Sequence, residues 1–129
     1  MKTLVIAWVC GVILAAAGPA SAQAAKFSVC MDKADGLAMM HNTARLACID
    51  AELKIQDAAL NTAYRAGMAR LEPDLKSKMV EAQRAWVRFR DADCSFESAL
   101  GMPLSPSLCI MLKTKDRAEE LAGLATRKN

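Results

Sequence analysis

The chain is short of the groups from which most active sites are made. Its 129 residues hold one histidine, His41, and only 5% aromatic side chains. A single imidazole leaves a zinc site without its usual ligands, and no CxxC pair supplies them instead. None of the serines at 28, 77, 95, 98, 105 and 107 stands in a nucleophile-elbow context. Asp91 and Asp93, two apart on a helix, point in different directions and do not make an acid pair. If the cysteines are oxidised, His41 has no thiol to activate. Met39-Met40-His41 is a soft-ligand run that could suit copper(I), but methionine is also an ordinary gap-filler. No catalytic group, cofactor or metal is therefore expected. A surplus of one charge is lacking too: 17 basic against 14 acidic residues give +3. The basic residues are scattered among acids, not gathered into the stripe that nucleic acid requires. No internal repeat or low-complexity segment is present.

What the chain does have begins with a leader. Lys2 is followed by an apolar run from Leu4 to Ala17, then Gly18-Pro19 and Ala20-Ser21-Ala22. A charged start, a short apolar core and a small-x-small site predict a signal peptide over residues 1–22. The run is shorter than the roughly 20 residues a spanning helix needs, so no stable membrane insertion is expected after cleavage. Ala7-Trp8-Val9 lacks the small residues of a lipid-attachment site, so Cys10 leaves with the leader. One domain, 23–129, remains, and it goes to the periplasm or outside the cell. It keeps 16 basic and 14 acidic residues. It also keeps four cysteines, Cys30, Cys48, Cys94 and Cys109, an even count that reads as two disulfides in an exported chain.

Helical periodicity fills most of this domain. Residues 23–42 read as a lead-in, with a short helix over 28–40 that Gly36 weakens, and Asn42 or Thr43 can cap the long helix after it. From Arg45 to Leu71, Leu46, Ile49, Leu53, Leu60, Tyr64, Met68 and Leu71 form one stripe. Glu72-Pro73-Asp74 interrupts it, and Pro73 suits the first turn of a second helix reaching about Ala99. There Leu75, Met79, Ala82, Trp86 and Phe89 repeat the pattern. Gly101, Pro103 and Pro106 mark a loop, and a third helix runs from about Ser107 to Leu124 on Leu108, Leu112, Leu121 and Leu124. The fold class is all-α: a disulfide-braced antiparallel hairpin with a third C-terminal helix.

A tight turn fixes the register of such a hairpin. If Leu71 faces Leu75, then Leu60 meets Trp86, which predicts core packing for the indole. Asp57 meets Arg90, which predicts a structural polar pair. Cys48 falls about one helical turn from Cys94, within reach of a bridge. The register thus favours Cys48–Cys94 with Cys30–Cys109. All four cysteines cluster at the open end, so Cys30–Cys48 with Cys94–Cys109 is the alternative. Arg84 and Arg88, four apart on one face, are the candidates for contact with a carboxylate-bearing partner.

Three blocks then resemble a known family. They are Cys48-x-x-x-Glu52 with Asp57-x-x-Leu60-Asn61-x-x-Tyr64, the run Ala82-Gln83-Arg84-Ala85-Trp86-x-x-Phe89-Arg90-Asp91-Ala92-Asp93-Cys94, and Cys109 with Thr114, Arg117-Ala118 and Leu121. Together they look like the LprI-type lysozyme inhibitor family of bacterial secreted or periplasmic domains. The resemblance implies a helical, disulfide-bonded envelope protein that inhibits lysozyme by direct binding, occluding its cleft or rim. An alternative is a non-enzymatic structural or stress-related envelope protein with another partner. Tight inhibitors of strongly basic lysozymes are expected to be acidic, whereas this domain is near neutral. Asp50, Glu52 and Asp93 are the residues from which a local acidic face could be built.

Overall fold

The computed structural model describes residues 18–37, 39, 41–101 and 105–126. Residues 1–17 of the expected leader lie outside them, and so do Met40 and the side chain of His41. Four helices follow one another: α1 (Pro19–Asp35), α2 (His41–Arg70), α3 (Pro73–Ala99) and α4 (Pro106–Thr126). All are α-helical and two disulfides brace them.

Local chemistry explains the helix ends. Three of the four helices begin on a proline, whose fixed φ suits the first turn and whose missing N–H is not needed there. Before α4, Ser105 accepts a bond from the Leu108 N–H at 3.3 Å through its hydroxyl, as an N-cap does. The lead-in is thus a full helix: Pro19 starts α1, and Gly36 terminates it instead of weakening its middle. Asn42 and Thr43 lie inside the first turn of α2 and do not cap it. After α3, Gly101 takes a φ of 70°, the left-handed conformation that closes helices. A Cβ at Gly101 meets nothing within 4 Å, so the whole penalty of Gly101→Ala is backbone strain. That variant should lose about 1 kcal/mol. Gly67→Ala, inside α2 and also uncrowded, should gain about 0.5–1 kcal/mol from helix propensity. Urea midpoints of the two variants test the opposite signs.

Packing centres on α4. Met111, Thr114 and Leu121 of α4 are among the largest fully buried side chains, together with Cys94. The chain reverses at Leu71–Glu72 and again after Gly101, so α4 runs parallel to α2 and antiparallel to α3. Leu60 and Ala63 of α2 join Ala118 and Leu121 of α4 in the core cluster, and Tyr64, Met79 and Trp86 close over it. Ala63 and Ala118 at the contact let the two backbones approach closely, and α4 is the main packing partner of α2.

The two-helix hairpin expected from the register is therefore present as a chain reversal but not as a packed pair. The main partner of α2 is α4, and α1 also packs on α2. Helix α3 rests on α4, and Cys94 is its buried residue. The disulfides follow this arrangement and correct the favoured pairing. Cys30 bonds Cys48 with Cα atoms 5.9 Å apart, and Cys94 bonds Cys109 at 5.6 Å. Each bridge ties consecutive helices, α1 to α2 and α3 to α4. Cys48–Cys94 does not form because α4, not α3, occupies the space beside α2.

Candidate functional site

Because α2 and α3 diverge, a groove of about 560 Å³ opens between them. Asp57, Asn61 and Tyr64 reach it from α2, and Gln83, Arg84 and Arg90 from α3. Its apolar floor includes Leu60, Val80 and Val87. The expected register survives here: residues whose numbers place them opposite one another line the same groove. The expected Asp57–Arg90 ion pair is absent among the described residues. The Arg90 guanidinium instead bonds Asp91 at 2.8 Å and donates to the Thr114 hydroxyl at 3.1 Å. It also lies 5.3 Å from the Trp86 ring centre.

These contacts make Arg90 a positioning residue. Thr114 is fully buried, so its hydroxyl needs a partner, and Arg90 supplies one. Arg117 stacks on the same indole at 5.8 Å and donates to Gln83 at 3.1 Å. Trp86 is thus held between two guanidiniums while packing on the core, as its position opposite Leu60 suggests. Arg90→Ala strands the Thr114 hydroxyl and should lower stability by about 1.5–3 kcal/mol. Arg84→Ala, at an exposed side chain with no such bond, should stay within about 0.5 kcal/mol. Thermal melts of the two variants check the difference.

The groove differs from a second, more apolar trough of about 700 Å³ formed by α1, α2 and α4. In that trough the polar groups are spent on one another. Glu52 is buried, and its two oxygens accept from the Gln23 and Gln56 amides at 2.6 Å each. Lys115 pairs with Glu119 at 2.7 Å. In the α2–α3 groove, by contrast, Asp57, Asn61, Tyr64 and Arg84 form no hydrogen bond or ion pair among the described residues.

The outer surface of α3 is the other unusual feature. Phe89 and Phe96 are each 59% exposed and Leu100 is 62% exposed. Steps of seven and four place them on one stripe, with exposed Ala92 and Ala99 between them and exposed Ala85 one turn before Phe89. Phe89, read from sequence as core, is therefore a surface side chain, with the Lys113 ammonium 5.8 Å from its ring. Arg84 and Arg88 are both exposed, but only Arg84 lines the groove. The acidic face sketched from sequence does not assemble: Glu52 is buried, and Asp93 is paired with Lys113 at 2.7 Å. That bond, with the nearby charges of Asp93 and Glu97, raises the Lys113 pKa above 10.5. A raised ammonium pKa stabilises the fold fully below the unfolded value. The contribution fades only as pH climbs from 10.5 through the folded value, so this pair is constant at neutral pH.

The family described as lysozyme inhibitor LprI matches residues 30–121. The chain belongs to that family. The matched span opens on Cys30 and closes on Leu121, so it contains both disulfides and the buried core. No curated protein and no solved structure matches the chain. Among the described residues no helix is long and apolar enough to cross a membrane. Membership in an inhibitor family, with two disulfides, points to an extracytoplasmic protein. The sequence blocks that suggested the LprI family supply much of the site: Asp57, Asn61, Tyr64, Gln83 and Arg84 all line the groove.

Proposed function

We propose that the chain is a secreted or periplasmic inhibitor that binds lysozyme through the outer surface of α3 and blocks its cleft sterically. Family membership supports lysozyme as the partner. The observation that carries the surface is the exposed Phe89–Phe96–Leu100 stripe. A small domain has few aromatics to spend, and two of its phenylalanines lie outside the core. Exposed aromatics beside arginine are the composition of interface anchors. Arg88, exposed and next to Phe89 in sequence, adds a cation that suits the paired carboxylates of a glycosidase cleft. The domain itself supplies no catalytic group to this reaction, because occlusion needs only shape and contact.

The near-neutral charge of the domain means that apolar contact, not long-range steering, supplies the affinity. Binding should therefore weaken only slightly between about 50 and 300 mM salt. Size-exclusion chromatography of the purified domain with lysozyme tests the reading. A co-eluting complex that Phe89→Ala with Phe96→Ala abolishes is the expected result. A complex unaffected by those substitutions would move the interface elsewhere. No complex at all would favour the alternative, an envelope protein with a different partner.

A further inference from the structure

The α2–α3 groove holds a feature that lysozyme binding by the α3 stripe leaves unused. By helical spacing the stripe and the groove lie on opposite flanks of α3, since Val80 and Val87 turn away from Phe89 and Phe96. Within the groove, Asp57 offers an acceptor, Asn61 both a donor and an acceptor, and Arg84 a planar cationic fork. Gln83 uses its carbonyl oxygen on Arg117, which leaves its amide N–H groups available. Tyr64 adds a ring face beside Leu60 and a hydroxyl.

This set matches one ligand chemistry better than others. A sugar hydroxyl donates and accepts at once, so it needs both kinds of group side by side, and the groove has both. Pyranose rings also carry an apolar C–H face that packs on tyrosine and aliphatic side chains. A volume of about 560 Å³ is that of a small-molecule site, whereas a protein partner covers about 800 Å² of open surface. From Asp57 to Tyr64 the groove runs about 10 Å along α2, the length of two pyranose rings. Arg84, exposed and unpaired among the described residues, selects for a carboxylate, which it can hold through two parallel bonds.

We propose that the groove between α2 and α3 binds a short glycan bearing a carboxylate, with Asn61 and Tyr64 holding the rings and Arg84 the acid group. The site stands whether or not lysozyme is the partner of the α3 stripe. The test uses the chain as recovered from the cell envelope, with no lysozyme present. Two probes are titrated by NMR: the neutral N-acetylglucosamine disaccharide, and the same disaccharide carrying a lactyl ether carboxylate on one ring. The acidic sugar should bind about tenfold more tightly, the worth of one charge-assisted hydrogen bond. Arg84→Gln should bring the two probes to equal affinity. Asn61→Ala, at another exposed position, should weaken both. Arg88→Gln, outside the groove, should change neither. Absence of saturable shifts with both sugars at millimolar concentration would overturn the proposal. So would an Arg88→Gln loss as large as that of Arg84→Gln. A chain that binds the acidic sugar but forms no complex with lysozyme keeps this site and loses the preceding reading; the reverse result does the opposite.

Discussion

Replacing Leu121 by alanine should lower the stability of the domain by about 3 kcal/mol. Leu121 is fully buried at the centre of the contact between α2 and α4, beside Leu60, Ala63 and Ala118. Truncation removes a side chain from a site whose walls are helix backbones brought close by small residues. Such walls cannot collapse inward, so the cavity term adds fully to the lost transfer energy. Leu124, one turn on and 39% exposed, is the matched control and should lose less than about 1 kcal/mol on the same change. Chemical denaturation measures both. Similar losses at the two positions would mean that α4 is not the central helix.

The disulfides give the second large effect. Cys94→Ala with Cys109→Ala opens a 15-residue loop and should lower stability by about 3 kcal/mol. For a domain of this size that is roughly 12–24 °C in Tm. The loss has a structural focus. Cys94 is the buried residue of α3, so without the bridge α3 is held by polar contacts such as Lys113–Asp93, Arg90–Thr114 and Arg117–Gln83 and by the packing of Met79 and Trp86 on the core. Backbone amides of α3 should then exchange with deuterium faster than those of α2. The pairing has its own signature in single variants. Cys94→Ala should release a titratable thiol at Cys109 and none at Cys48, because Cys48 stays bonded to Cys30. A free thiol at Cys48 in that variant would restore the cross-paired scheme.

Helices α2 and α3 were legible because large apolar residues recur at helical spacing and Pro73 divides them. The turn also made the register legible, and the opposed residues do line one groove. Helix pairing was hidden for a physical reason. Reading α4 from Leu108, Leu112, Leu121 and Leu124 weighted the large residues, yet Leu112 and Leu124 are each 39% exposed. The contact with α2 is made by Ala118 and Leu121 against Leu60 and Ala63, where the alanines permit close approach. Register arithmetic assumes that chain neighbours pack directly, and a third helix with such a face displaces that packing. Helix α1 was expected over 28–40 but misplaced at both ends: Gly18-Pro19 reads as a break, although a proline at the first helical position starts a helix, and Gly36 ends the helix.

The candidate site was legible in part. Arg84 emerged from its charge and spacing, and it lines the groove. Asp57 and Arg90 line one groove but do not pair. The divergence of α2 and α3 lets Arg90 turn to Thr114, a residue 24 positions away in sequence. The exposure of Phe89 and Phe96 had no sequence signal. A phenylalanine at helical spacing reads as core, and only the offset of α3 from the core leaves it in solvent.

The most direct test of lysozyme inhibition is the clearing of a bacterial cell-wall suspension by lysozyme, with the purified domain at micromolar excess. Clearing should slow with the native domain and recover when Phe89 and Phe96 are both replaced by alanine. Clearing at the uninhibited rate in the presence of folded, disulfide-bonded native domain would contradict the account.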